Sequence, residues 1–235
     1  VKIVAHRGYS AKYPELSHLA FEKAFELPIH GVECDIRLSK DGRVIIHHDP
    51  TVDRTTDGHG RVSKMDWSEL SQLDIGRGQR MMLLDDLLEM SQDYPDHHLY
   101  IETKHPGCHG DMLEEQLVLR LRYAGMLGDP RVHVISFSHR ATRVMQRLAP
   151  DTDRIYLRRD WERHINKPDM LLSRPTGLGM SLLRAKIQPN AIGAHGLPTY
   201  MWTVDKDEDM KWAWSNGVNI LATNEPERAL HAIEL

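Results

Sequence analysis

Only two cysteines, Cys34 and Cys108, occur in the 235 residues. That count excludes a disulfide-built scaffold and is consistent with a reducing compartment. No run of Lys or Arg is long enough to track a nucleic-acid backbone, and the net charge is −4, so no nucleic-acid partner is expected. No apolar stretch approaches the roughly 18 residues needed to cross a bilayer, so no integral membrane segment is expected. Gly-x-Gly-x-x-Gly is missing after the first strand-like run, which removes the signature of a dinucleotide-binding sheet. No internal repeat or low-complexity linker divides the chain, so one domain spanning residues 1–235 is expected. The sequence begins VKIVAHRG, already strand-like and without an initiator Met. A missing leader at this end therefore carries little weight, and a cytoplasmic location is only the default.

What is present is an alternation of short β-rich runs and helical patterns. VKIVA, GVECDIRL, RVIIHH, HLYIETK, VHVISF, DRIYLRR, TGLGMS, PTYMWTV and NILAT read as strands. Helical spacing separates most of them, as in Leu16–Leu27, MLLDDLLEMSQ, DMLEEQLVLRLRYAG and SHRATRVMQRLA, the last capped by Ser138. Residues 51–80 are polar and Gly-punctuated, with one short helix expected over Trp67–Leu73, and residues 160–175 read as irregular. About eight β-then-α units in this length predict an α/β fold, a (β/α)8 TIM barrel with a small insertion after the second strand unit.

A barrel of this type places its chemistry at the C-terminal ends of its strands. His6 and Arg7 follow the first strand; Glu33 and Asp35 are two apart, hence on one face, with Cys34 turned outward. His48 ends RVIIHH, Glu102 and Lys104 share a face at the end of YIETK, and Trp202 lies near the end of the seventh strand. Three inward carboxylates repel one another unless a cation joins them. Glu33, Asp35 and Glu102 are therefore read as ligands of one divalent cation, Mg²⁺ or Ca²⁺ or else Mn²⁺, because carboxylate oxygens suit hard ions. Two imidazoles suit acid–base work, and Arg7 and Lys104 suit a phosphate's oxygens. Together these residues describe cleavage of an anionic ester, with a phosphodiester the best fit. Trp202 is expected to pack against the alcohol or glycerol part of the substrate.

The ordered set AHRG (5–8), Pro14-Glu15 with Ala20-Phe21, VECDIRLSKDG, HDPTVDRTTDGHG (48–60), YIETK, VISF and MWTVD resembles the glycerophosphodiester phosphodiesterase family over nearly the whole chain. The resemblance implies His6 and His48 as the catalytic acid–base pair, Glu33, Asp35 and Glu102 on the metal, and Arg7 and Lys104 on the phosphate. It also implies that Glu15 lines the substrate site and orients a neighbouring group. Three places depart from the family's pattern. Leu16-Ser17 stands for Asn-Thr, Asp205 for the Asn of Trp-Thr-Val-Asn, and Asn224 for the Asp of Thr-Asp-x-Pro. Leu16 puts local hydrogen bonding and helix capping in question, and Asp205 adds a negative charge.

The expected activity is hydrolysis of a small-molecule glycerophosphodiester to glycerol 3-phosphate and an alcohol. A lysophospholipase D or phosphoinositide phospholipase C-like activity is the alternative enzyme, and a non-catalytic barrel binding phosphate esters is the alternative of another class. The sequence leaves open which histidine is the base, and a homodimer is an open option. Fifteen histidines are present, most of them expected to face solvent, and His47, adjacent to His48 on the opposite face, is set aside as a packing residue. His105, Cys108 and His109 could form a soft-metal site but lack a fourth ligand at recognisable spacing. Trp161 and Tyr156 are read as either an apolar lip or plain structure.

Overall fold

The first strand-like run becomes β1 (Lys2–His6), and it hydrogen-bonds on both of its edges. After α1 (His18–Phe25) come β2 (Gly31–Leu38), β3 (Val44–Ile46), α2 (Trp67–Leu70), β4 (Met82–Leu83) and α3 (Leu84–Gln92). The chain continues through β5 (His98–Thr103), α4 (Met112–Tyr123), β6 (Val132–Ser136), α5 (His139–Leu148), β7 (Asp153–Leu157) and α6 (Lys167–Ser173). It finishes with β8 (Gly177–Ser181), α7 (Leu182–Ile187), β9 (Thr199–Trp202), α8 (Asp207–Ser215), β10 (Ile220–Thr223) and α9 (Pro226–Ile233). This computed structural model describes residues 1–107, 109–162 and 167–233.

Eight of the strands are parallel and run in the order β1-β2-β5-β6-β7-β8-β9-β10, and β10 returns to β1 with Lys2 opposite Ile220. The sheet is thus a closed TIM barrel, as the alternating pattern requires. Each strand is buried on both faces. Inward residues Val4, Tyr100, Ile135, Ile155, Tyr200 and Ile220 fill the interior. Outward ones such as Val32, Cys34, Leu99, Val132 and Val134 pack under the helices. Gly31 has no side chain for a reason of space, since a Cβ there would lie 2.1 Å from the carbonyl oxygen of His98.

Serine caps start three helices. Ser17, Ser138 and Ser181 accept from the backbone N–H groups of Ala20, Ala141 and Arg184, each contributing about 1 kcal/mol. The helix-capping question raised by Leu16 is answered by its neighbour: Ser17 caps α1, and Leu16 sits buried in left-handed backbone with φ 59°.

The excursion after β2 differs from expectation only at its far end. It begins with β3, which turns back antiparallel on the end of β2 (Ile36 opposite Ile46), and ends with β4, antiparallel to β3. Met82 and Leu83 read as the start of a helix, but pairing with β3 claims them and the helix begins at Leu84. Between lies a small separate core of Ile45, Val52, Val62, Leu70, Met81 and Leu83. The stretch read as irregular after β7 contains α6, whose Pro168 sits in the first turn, where no intrahelical N–H is required. No helix among the described residues is long and apolar enough to cross a membrane.

Candidate active site

Alternation along β2 and β5 delivers three acids to one end of the barrel. Glu33, Asp35 and Glu102 are 1%, 1% and 7% exposed, and one oxygen of each lies within 4.8 Å of one from each of the others. Parallel register sets Asp35 beside Glu102. Burial, reinforced by Asp35 and Glu102, pushes Glu33 well above the usual carboxylate range. Burial also raises Glu102, to about 7, against the pull of Lys104. At Asp35 burial acts the same way but loses to Lys104 and Arg7, which bring it down to about 2.

Two cations share this cluster. Lys104 Nζ lies 2.9 Å from Asp35 Oδ1 and 2.7 Å from Glu102 Oε1, and Arg7 Nε lies 3.3 Å from Asp35 Oδ2. Neither approach to Asp35 is aligned as a hydrogen bond, so both of its buried oxygens keep unused acceptor capacity. Three converging hard oxygen donors with spare lone pairs fit a hard divalent cation. Arg7 also donates its backbone N–H to Glu33 Oε2 at 3.0 Å, from left-handed backbone with φ 59°.

The two histidines flank the acids with opposite companions. His6 Nδ1 lies 2.8 Å from Asn224 Oδ1, and Asn224 Nδ2 donates to Asp205 Oδ2 at 2.8 Å. Asp205 also accepts from Thr223 Oγ1 and the Asn224 backbone. A carboxylate only accepts, which fixes the amide's orientation and requires His6 to carry its proton on Nδ1. His6 Nε2 is left as a lone pair, 3.9 Å from Glu33 Oε2. Burial, then the charge of Arg7, lowers the His6 pKa to about 4. The residues at 205 and 224 thus act together, acid and amide joined by a hydrogen bond behind His6.

His48 instead pairs its Nδ1 with the Asp49 carboxylate at 2.6 Å. Asp49 is held by Arg54 at 2.5 Å, and Arg54 reaches Glu15 at 2.7 and 3.0 Å. Glu15 closes the chain on Arg7 at 3.0 Å. Burial lowers the pKa of His48, with Asp35 and the bonded Asp49 opposing. Arg54 belongs to the excursion after β2, so that segment braces the His48 side of the site. Sequence reading missed Asp49, Arg54 and Asn224; the first two lie inside the quoted HDPTVDR run, and only the fold brings Asn224 to His6.

A mouth cavity of about 460 Å³ joins His48, Glu102 and Lys104 to Phe137, Arg158, Arg159, Trp161 and Trp202. Trp202 stands edge-on to Phe137 at 5.3 Å, and Trp161 is 76% exposed on the rim. Tyr156 is not part of a lip: it is buried and bonded to Glu162. His47 is buried on the far side, its Nε2 2.9 Å from the Thr51 carbonyl. His105 is tied to Glu114 at 2.7 Å, and Cys108, the middle member of the imagined soft-metal group, lies outside the described residues.

The family model for glycerophosphoryl diester phosphodiesterases matches residues 6–228. The chain belongs to this family. A probable glycerophosphodiester phosphodiesterase of Mycobacterium tuberculosis is 32% identical, covering 96% of this chain and 90% of that protein. A glycerophosphodiester phosphodiesterase of Caldanaerobacter subterraneus is 30% identical over 98% of this chain and 97% of its own. The same fold occurs in a phosphodiesterase of Oleispira antarctica solved with sn-glycerol-3-phosphate (TM-score 0.92, 24% identity, 100% and 97% coverage). A glycerophosphodiester phosphodiesterase of Agrobacterium tumefaciens superimposes with a TM-score of 0.79 at 25% identity, covering 99% of both chains.

Proposed function

We propose that the protein hydrolyses glycerophosphodiesters to glycerol 3-phosphate and a free alcohol, with one divalent cation held by Glu33, Asp35 and Glu102. The reading is carried by one observation: a buried carboxylate triad lies between two imidazoles at the barrel mouth. Mg²⁺ or Ca²⁺ suits the all-oxygen donor set. When bound, such an ion neutralises the acids and draws negative charge from a phosphate oxygen.

Arg7 and Lys104 bear on the same phosphate oxygens. His6, neutral and with Nε2 unprotonated, takes the proton of the attacking hydroxyl, whether water or the glycerol 2-hydroxyl. His48, whose imidazolium is stabilised by Asp49, gives a proton to the departing alkoxide as the P–O bond breaks. Glu15 and Arg54 hold Arg7 and Asp49 in place, and Trp202 packs against the organic part of the substrate. Three guanidinium groups, Arg37, Arg158 and Arg159, line the mouth beside its aromatics, which favours a small polar alcohol over an acyl chain.

The test is release of glycerol 3-phosphate from a panel of glycerophosphodiesters and lysophospholipids, with metal and with chelator. Release from the former that chelator abolishes is expected. If nothing is released from any member with metal supplied, the proposal fails.

A further inference from the structure

The expectation that most histidines face solvent is wrong; among the described residues only His18, His59, His195 and His231 are exposed. Three of the others meet at the opposite end of the barrel from the acids. His30 immediately precedes β2, His98 opens β5, and His133 is the second residue of β6. One ring nitrogen of each lies within 4.8 Å of one from each of the others. His98 Nδ1 is 2.8 Å from His133 Nε2, and His133 Nδ1 is 2.9 Å from Asp153 Oδ2 at the start of β7. His30 stacks on His98 with ring centroids 3.9 Å apart, and its Nε2 is buried with no hydrogen-bond partner.

This arrangement has the chemistry of a nitrogen-donor metal site. Asp153 accepts from His133 Nδ1–H, so His133 turns its Nε2 lone pair toward the other two rings. That carboxylate–histidine pairing is the one that orients and strengthens imidazole ligands around zinc. The short contact between His98 and His133 holds a single proton between two nitrogens, and a divalent ion can take its place as the neutral His98 ring moves its proton from Nδ1 to Nε2. Spreading the pair from 2.8 Å to the ~3.4 Å edge of a tetrahedron with ~2.05 Å metal–nitrogen bonds needs only small ring rotations. His30 must turn out of its stack to bring the orphaned nitrogen in. His30 and His98 are half-buried and His133 is buried, so the cluster has a path to solvent. The nearby Arg131 charge is already paired with Asp129 at 2.7 Å.

We propose that His30, His98 and His133 bind a borderline transition ion, Zn²⁺ or Co²⁺, at the N-terminal end of the barrel, with Asp153 orienting His133. The ion is structural: it ties the starts of β2, β5 and β6, far from the hard-ion cluster and with a different donor preference. Its existence does not depend on the phosphodiesterase reading.

Co²⁺ distinguishes the two sites by spectrum. Untagged, chelator-stripped full-length protein titrated with Co²⁺ is expected to develop the intense visible bands of low-coordinate, nitrogen-bound cobalt. Carboxylate-bound, six-coordinate cobalt gives only weak ones. The bands should persist in Glu33→Gln, vanish in His98→Ala and His133→Ala, and require roughly 10- to 100-fold more Co²⁺ in Asp153→Asn. Zn²⁺ should displace the bands and raise the melting temperature of wild type more than that of His30→Ala. Should the His98 and His133 variants not fold, His30→Ala, which removes the partnerless ligand, decides by the same spectrum. Absence of intense bands in wild type, or their survival in folded ligand variants, overturns the proposal.

Discussion

Exchanging the acid and amide beside His6 is the sharpest test of its role. In Asp205→Asn/Asn224→Asp the two side chains keep their mutual hydrogen bond, but the charge moves from the far member to the one touching His6 Nδ1, now 2.8 Å away across that bond. The carboxylate's centre thus moves from about 7 Å to about 4 Å from the imidazole. At an effective dielectric of ~20 this strengthens its attraction for imidazolium by about 2 kcal/mol, a little over one pKa unit. The His6 pKa, about 4 in wild type, should therefore rise by roughly one unit.

The sign follows from which form reacts. A base must be unprotonated, so raising its pKa moves the acid limb of kcat/KM upward by about one pH unit while the neutral plateau changes little. The assay is glycerol 3-phosphate release across pH at saturating metal, with wild type and the double variant side by side. An acid limb that stays put while the variant folds normally would refute His6 as the group that must lose its proton. Asn224→Asp alone is the control. It sets two carboxylates at hydrogen-bond distance, so one must take up a proton or the local structure gives way, and it should be the least stable of the set.

Glu102, raised to about 7 by burial, favours the folded metal-free protein below pH 4.5 and loses that contribution as pH rises through 7. Chelated protein should lose up to about 3 kcal/mol over that range relative to Glu102→Gln, read as the difference in urea midpoints at pH 5 and pH 8; equal slopes would contradict it. Arg54→Ala frees Asp49 and Glu15 together. Because Arg54 is half exposed, stability should change by less than about 1 kcal/mol, while kcat falls several-fold as His48 loses its orientation; an unchanged kcat would remove the bracing role. Gly8→Ala, at φ 74° with its Cβ placed 2.8 Å from the Ala20 backbone, should destabilise by about 2–4 kcal/mol in urea unfolding, and a change under about 0.5 kcal/mol would mean the helix simply moves aside.

Legibility in the sequence followed period and proximity. Glu33 with Asp35, and Glu102 with Lys104, are two apart on single strands, so their common face could be read without coordinates. The Ser138 cap and most barrel strands were legible for the same local reason. Residues 82 and 83 were not, because helical and strand patterns coincide in a short apolar run and only pairing with β3 decides between them. Asn224 lies 218 residues from His6, and barrel closure alone brings them together. Arg54 stood inside a quoted motif, yet nothing local says that a guanidinium in a polar excursion reaches back to Glu15.

The histidine cluster was hidden by a different error, that of treating abundance as evidence against meaning. His98, Tyr100 and Glu102 occupy alternate inward positions of one strand, so β5 carries an imidazole at its start, an aromatic ring in its middle and a carboxylate at its end. Tyr100 stacks on His133 at 4.3 Å and lies 5.5 Å from Tyr200, placing apolar ring surface between the two polar layers. A barrel interior with low dielectric in its middle cannot hold unpaired charge there, so ionisable groups are sorted to its ends. The mouth gathers three carboxylates between two imidazoles, and the floor gathers three imidazoles beside one carboxylate. The same period-two argument that found the acids finds the floor cluster once parallel register is known, since Tyr100 opposite His133 and His133 opposite Asp153 follow directly from the pairing of β5, β6 and β7.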